Sequence, residues 1–319
     1  MDPAQFFTAS RLVIVAGKGG VGKTTVSATL ARAAARSGLS SLIIEVEGKS
    51  GLASMYGCPA FSYDEVTLAP ADPASGRADV RARTVTPDES LVEYLEDSDM
   101  GRISKRLMTS GALDMVSTAI PGIRDILVLG KIKQMERAGL ADLLILDAPA
   151  AGHAITFLQS ASGLADAVPI GPINAQAKDV LGLLSDPDRC QVVLVTLPEE
   201  TPVNELVETA YQLEDRVGIS LGPVVVNGCY PVLPGLDVAP AAAAKAVGAS
   251  LRPGEAEALE AAAGFRRERM ALQAEQVARL ADALPLPQLA LPYLFDAELG
   301  PTQLDLLADS LLGGIGALP

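Results

Sequence analysis

Six short apolar runs, at residues 12–16, 42–46, 143–146, 192–197, 224–226 and 289–291, recur along the chain with longer mixed segments between them. The runs are continuous rather than alternating, the pattern of parallel strands covered by helices on both faces. After the first run, Val26, Leu30, Ala33 and Ala34 fall on one side of a helix that stops near Gly38. Strands alternating with helices predict an α/β fold on a doubly wound, mainly parallel sheet, with ligands bound beyond the carboxyl ends of the strands.

A long insertion separates the second run from the third. Residues 65–69 and 80–85 read as edge strands, a helix starts at Ser90, and residues 100–137 carry a helical pattern broken at Pro121-Gly122. Met100, Met108, Met115 and Met135 fall there, where methionine either fills core gaps or forms an adaptable client surface. Residues 255–284 read as a helix interrupted at Gly264, with Leu259, Ala263, Met270, Val277 and Leu280 buried. Residues 303–312 repeat leucine at 304, 307 and 311, and the Pro- and Ala-rich stretches at 69–75 and 239–244 read as loops. The expected organisation is one domain over 1–319 with an α-helical insertion, its helical subdomain formed mainly by about 90–140 and 165–188.

Candidate chemistry concentrates directly after the first run, at Gly17-Lys18-Gly19-Gly20-Val21-Gly22-Lys23-Thr24-Thr25. The order strand, glycine loop, helix is the context that a phosphate-binding loop requires, and it makes the sheet one of P-loop NTPase type. Glycines let backbone N–H groups converge on phosphate oxygens, and the new helix adds its positive end. In such a loop Lys23 reaches the β/γ-phosphates and the Thr24 hydroxyl ligates Mg²⁺. The third run ends in Asp147, an acid placed to hold the Mg²⁺ water shell opposite Thr24. Gly152, just beyond, lets a backbone N–H approach the γ-phosphate.

Composition narrows the class further. With 49% hydrophobic and 20% charged residues, the 319-residue chain has the material for a sizeable core. A formal net charge of −14 argues against a nucleic-acid partner, and the clusters Arg102-Lys105-Arg106 and Arg266-Arg267-Arg269 read as solvated helix faces. No run approaches the roughly 18 apolar residues of a membrane span, and the first residues lack a basic start followed by an apolar stretch. The expectation is a cytoplasmic protein that is not integral to the membrane. Cys58, Cys190 and Cys229 are far apart, in no C-x-x-C spacing, and read as small buried thiols.

The loop resembles the G-K-G-G-x-G-K-T-T form found in dimeric ATPases, whose early lysine, here Lys18, contacts nucleotide phosphates across the subunit interface. The run Asp147-Ala148-Pro149-Ala150-Ala151-Gly152-His153-Ala154-Ile155-Thr156-Phe157-Leu158 resembles the D-T-A-P-T-G-H-T-L-R-F-L run of the arsenite-transporting ATPase (ArsA) and guided-entry tail-anchored-protein targeting ATPase family. Asp147, Gly152, His153, Phe157 and Leu158 match, while the interior T-A-P-T does not. Weaker echoes are Val85-Thr86-Pro87 followed by Glu93-Tyr94, and Ile120-Pro121-Gly122-Ile123. The resemblance implies ATP and Mg²⁺ as ligands. It also implies an adenine-bonding role for Asn227, in Val224-Val225-Val226-Asn227, and an adenine-pocket role for the backbone at Pro292.

The chain departs from that family at the first switch. Glu47 stands at the position of the aspartate that orients the attacking water, followed by Gly48-Lys49-Ser50-Gly51-Leu52, and Glu45 is a competing candidate by strand alternation. The family's zinc-binding C-x-x-C has no counterpart, nor does any cysteine constellation for trivalent arsenic, and only a modest helix, 177–184, precedes the fourth strand. The expected function is an Mg-ATP-dependent dimeric switch acting on a protein partner or client. Alternatives are a slow or non-hydrolysing regulatory subunit paired with a paralogous ATPase, and the energising subunit of a metalloid efflux system.

Overall fold

The computed structural model describes residues 1–46, 51–97, 122–149 and 151–319. Its first half runs α1 (Pro3–Thr8), β1 (Leu12–Ala16), α2 (Lys23–Arg36), β2 (Ser41–Val46), α3 (Gly51–Met55), β3 (Val66–Ala69), β4 (Val80–Val85) and α4 (Pro87–Asp97). There follow α5 (Ile123–Ala138), β5 (Leu143–Asp147), α6 (Ala151–Ala167), α7 (Pro172–Leu184), β6 (Cys190–Thr196) and α8 (Glu200–Val217). The last elements are β7 (Val224–Cys229), α9 (Pro240–Ala246), α10 (Glu255–Ala283), β8 (Gln288–Pro292) and α11 (Pro301–Gly316).

The strands form one eight-stranded sheet in the order β3-β4-β2-β5-β1-β6-β7-β8. Every neighbouring pair is parallel except β3 with β4. The chain moves away from β1 toward β2 and returns past it to β6, so the strand order reverses at the sheet centre, beside β1. Successive side chains along a strand point to opposite faces, which divides the continuous apolar runs between two cores. Leu12, Ile14, Leu42, Ile44, Leu144 and Leu146 join helices α5 to α8 on one face. Val13, Val15, Ile43, Ile145, Val193 and Val195 join α2 and α11 on the other. Leu304, Leu307 and Leu311 are the buried stripe of α11, and Arg32–Asp305 (2.8 Å) and Arg36–Asp309 (2.7 Å) tie that helix to α2.

Several expectations need correction. The strand at 80–85 is not an edge: β4 lies between β3 and β2, and Arg83, 8% exposed, stacks over the Tyr63 ring at 4.3 Å. Residues 240–246 form a helix, because Pro240 sits at a first-turn position that needs no N–H. The modest helix at 177–184 begins earlier, at Pro172, for the same reason. The helix predicted from Ser90 starts at Pro87, where Thr86 and Glu89 cap it: the Glu89 N–H donates to Thr86 Oγ1 at 3.3 Å and that hydroxyl donates to Glu89 Oε2 at 2.7 Å. Gly264 does not interrupt α10, since one helical glycine costs only about 1 kcal/mol. Of the five residues expected on its buried side only Leu280 is buried, and Leu259 is 50% exposed. Met135 is a core residue, 1% exposed, whereas Met100, Met108 and Met115 lie outside the described residues.

The helical layer is pinned by one buried carboxylate. Glu136 on α5 accepts from Arg189 Nη2 at 2.5 Å and Nε at 3.2 Å, with Arg11 3.8 Å away. Glu136→Ala leaves Arg189 without that partner in a largely desolvated position. Fully buried pairs cost about 3–5 kcal/mol to break, but Arg189 keeps 26% of its side chain in solvent. A loss of about 2 kcal/mol is therefore expected, measurable as a lower urea midpoint at unchanged slope.

Candidate functional site

The glycine loop leaves the carboxyl end of β1, at the sheet centre, and enters α2. Gly17 is required by close approach: a Cβ there would meet the Val195 carbonyl oxygen on β6 at 2.3 Å. Gly20 and Gly22 have φ of 88° and 92°, the left-handed region that favours glycine. A Cβ on Gly22 would also stand 2.3 Å from the Asn227 amide nitrogen. Val21, 1% exposed, anchors the loop in the core, while Gly19 and Gly20 are exposed to solvent. Intrahelical bonding of α2 starts with Val26 N–H to the Gly22 carbonyl at 2.9 Å. The N–H groups of Lys23, Thr24 and Thr25 thus belong to the first turn, where no intrahelical acceptor exists and an anion is favoured.

Two lysines frame this loop. Lys23, 9% exposed, donates from Nζ to the Lys18 carbonyl at 3.0 Å, so its ammonium closes the loop from inside. Lys18 points the other way and pairs with Glu205 on α8, Nζ to Oε1 at 2.5 Å, both side chains about 40% exposed. Glu205 was not anticipated. It lies 187 residues along the chain from Lys18, and its position inside an acidic helix carries no motif.

Asp147 ends β5, paired in register with Val15 on one side and Glu45 on the other. The Thr24 hydroxyl donates to Asp147 Oδ2 at 2.7 Å, and Asp147 is fully buried. A hydroxyl and a carboxylate are hard oxygen donors of the kind Mg²⁺ takes, with the remaining positions filled by water and phosphate. Among the described residues no group of three or more His, Cys, Asp or Glu side chains forms a self-sufficient metal cage. Gly152 lies in the first turn of α6, close after Asp147 in the chain. Glu47 lies outside the described residues.

Across the loop, the Asn227 amide donates to the Val21 carbonyl at 2.9 Å, joining β7 to the loop. Gln273 of α10, 8% exposed, clamps the turn after it, donating to the Gly228 carbonyl at 3.1 Å and accepting from Tyr230 N–H at 2.8 Å. Pro292 ends β8 in register with Cys229. The rings of Tyr230, Tyr293 and Phe295 pack within 4.7–5.7 Å of one another there, with the Arg266 guanidinium 4.2 Å from the Tyr230 ring centre. Burial pushes the Cys229 thiol up to about 11. Loop, Asp147, Asn227 and Pro292 thus gather at the carboxyl ends of β1, β5, β7 and β8, while Gln273 and the aromatic cluster come from tertiary packing that no local pattern signals.

A central strand feeding a glycine loop into a helix, with a buried lysine and a threonine bonded to an acid on the next strand, defines a phosphate-loop protein of the α/β class. The family model described as anion-transporting ATPase matches residues 10–169. ATPase BagA of Mycobacterium tuberculosis (strain ATCC 25618 / H37Rv) is 33% identical over 305 residues, covering 90% of this chain and 88% of that protein. The arsenical pump-driving ATPase of Escherichia coli is 26% identical over 236 residues, 67% of this chain and 39% of its own. ATPase get3 of Schizosaccharomyces pombe is 30% identical over 151 residues, 47% and 43% of the two chains. The chain belongs to the anion-transporting (ArsA) ATPase family. Among the described residues no helix is long and apolar enough to cross a membrane.

Proposed function

We propose that the chain is a cytoplasmic, Mg-ATP-dependent dimeric switch that couples ATP binding and hydrolysis to the binding of a protein partner. The observation that carries this reading is the 2.7 Å hydrogen bond from Thr24 to Asp147 at the mouth of the loop. It joins the hydroxyl that ligates Mg²⁺ to the acid that holds the ion's water shell. Lys23 neutralises the β/γ-phosphates, the loop amides of Gly19 to Thr25 and the N–H beyond Gly152 cradle them, and Asn227 and the Pro292 backbone hold adenine. Lys18 leaves Glu205 and reaches the phosphates of a second subunit, identical or paralogous. A half-exposed pair of this kind contributes about 0–1 kcal/mol, so releasing it costs little against a charge-assisted bond to phosphate. Glu47 orients the attacking water. The segments at about 90–140 and 165–188, of which residues 98–121 lie outside the described residues, carry the change to the partner. The net charge of −14 supports a protein rather than a nucleic-acid partner.

A second reading, a nucleotide-binding subunit that regulates a paralogous ATPase without hydrolysing ATP itself, is favoured by Glu47-Gly48 at the switch. Glutamate carries one methylene more than aspartate, and a misplacement of about 1 Å is enough to cost roughly a hundredfold in rate. Steady-state turnover of wild type and Glu47→Gln separates the two. The switch reading expects Mg-dependent turnover that falls at least about tenfold in the variant. Equal background turnover in both, with and without a co-purifying paralogue, would leave only the regulatory reading. A metalloid-pump role has less support: Cys190 is fully buried, Cys58 and Cys229 are partly buried rather than buried as expected, and desolvation raises all three thiols above the ordinary cysteine value.

A further inference from the structure

Beside Asp147 stands a second acid. Glu45, in β2, is in register with Asp147 of β5 and with Thr84 of β4, and all three are buried. Ile43 and Ile145 belong to the core on the α2 side, so the residues two further along each strand, Glu45 and Asp147, face that same side. Paired strands lie about 4.8 Å apart, which puts the two residues side by side at the carboxyl end of β5. Asp147 accepts the Thr24 hydroxyl there, and a Cβ on Gly51 would meet Thr24 Cγ2 at 3.7 Å, so α3 begins against the same threonine. Thr84, Glu45 and Asp147 thus make a polar row across this sheet face, ending beneath the first turn of α2. Both acids are fully buried, and Asp147 already turns one oxygen to the Thr24 hydroxyl.

We propose that Glu45 is a metal-positioning residue, a second carboxylate beside Asp147 that strengthens divalent-cation binding to the nucleotide complex by accepting hydrogen bonds from the ion's hydration water. The inference rests on the phosphate-loop reading above. Its consequence is a change of sign with metal. With Mg²⁺ bound, the negative charge of Glu45, Asp147 and the phosphates would be offset by one dication. Without it, Glu45 adds negative charge beside the phosphates and opposes them. Glu45 therefore makes nucleotide affinity more metal-dependent than Thr24 and Asp147 alone would.

The test measures affinity for the non-hydrolysable analogue AMPPNP by calorimetry, in excess Mg²⁺ and in excess EDTA, for wild type, Glu45→Gln, Glu45→Asp and Asp147→Asn. Mn²⁺ affinity of the AMPPNP complexes is followed by electron paramagnetic resonance. Glu45→Gln is expected to weaken Mn²⁺ binding about tenfold, to weaken AMPPNP with Mg²⁺, and to tighten it severalfold in EDTA. Glu45→Asp, which keeps the charge, should fall between wild type and Glu45→Gln, and remains a test if the neutral variant folds poorly. Equal changes with and without metal, or Mn²⁺ affinity unchanged in both Glu45 variants while Asp147→Asn loses it, would overturn this proposal and leave the phosphate-loop reading standing. Failure of wild type to bind AMPPNP in either condition would overturn both.

Discussion

Lys23→Ala should reduce affinity for Mg-ATP by on the order of a hundredfold or more while leaving the fold as stable as before. The ammonium is 9% exposed and held against the Lys18 carbonyl, inside the loop rather than on its surface. A charge-assisted hydrogen bond is worth about 1.5–3 kcal/mol, and bridging two phosphates engages two of them. The same lysine sits in the first turn of α2, where the helix dipole disfavours a positive charge by about 0.3–1 kcal/mol. Its presence works against the helix, and alanine removes that penalty. Calorimetry with Mg-ATP and a thermal melt of the two proteins check both halves. A variant that binds Mg-ATP within threefold of wild type would show that the nucleotide is not held by this loop.

Lys18→Ala should have the opposite profile, with one chain's nucleotide affinity nearly unchanged and nucleotide-driven association weakened. Lys18 and Glu205 are both partly exposed, so their 2.5 Å pair contributes little to stability. In the proposed dimer the lysine is buried against the neighbour's phosphates, and truncating one member of a buried, hydrogen-bonded charge pair costs about 2–5 kcal/mol. Association with Mg-AMPPNP should weaken by roughly thirtyfold or more, as read by sedimentation across a concentration series. Nucleotide binding lost together with association would place Lys18 in its own subunit's phosphate site instead of the neighbour's.

Those two lysines illustrate what local sequence carries. The loop was legible because strand, glycines and helix are consecutive, and the same locality exposed Asp147 at the end of an apolar run. The parallel strands were legible because burial on both faces removes polar residues from them. β4 was misplaced at the edge because Arg81 and Arg83 interrupt its apolar pattern. Arg83 is nonetheless buried through its stacking on Tyr63, and Arg81 pairs with Glu65 and Asp79. The long helix α10 was misread because its apolar residues suggest a buried stripe. Only Gln273 and Leu280, in its second half, are buried, and the first half is left to Leu259 and Phe265 at 50% and 63% exposure. Glu205 and Gln273 act on the loop and on the turn after Asn227 across 187 and 45 residues of chain, and such contacts exist only once the sheet has assembled.

Nucleotide is expected to assemble two subunits around this loop. Sedimentation velocity of the wild-type chain, alone and with any co-purifying paralogue, in Mg²⁺ without nucleotide, with ADP and with AMPPNP, tests it most directly. The expected result is a shift from monomer to dimer that is strongest with AMPPNP, absent in Lys23→Ala and weakened in Lys18→Ala. A single species whose mass is the same in all three conditions, from a chain that binds AMPPNP by calorimetry, would contradict it.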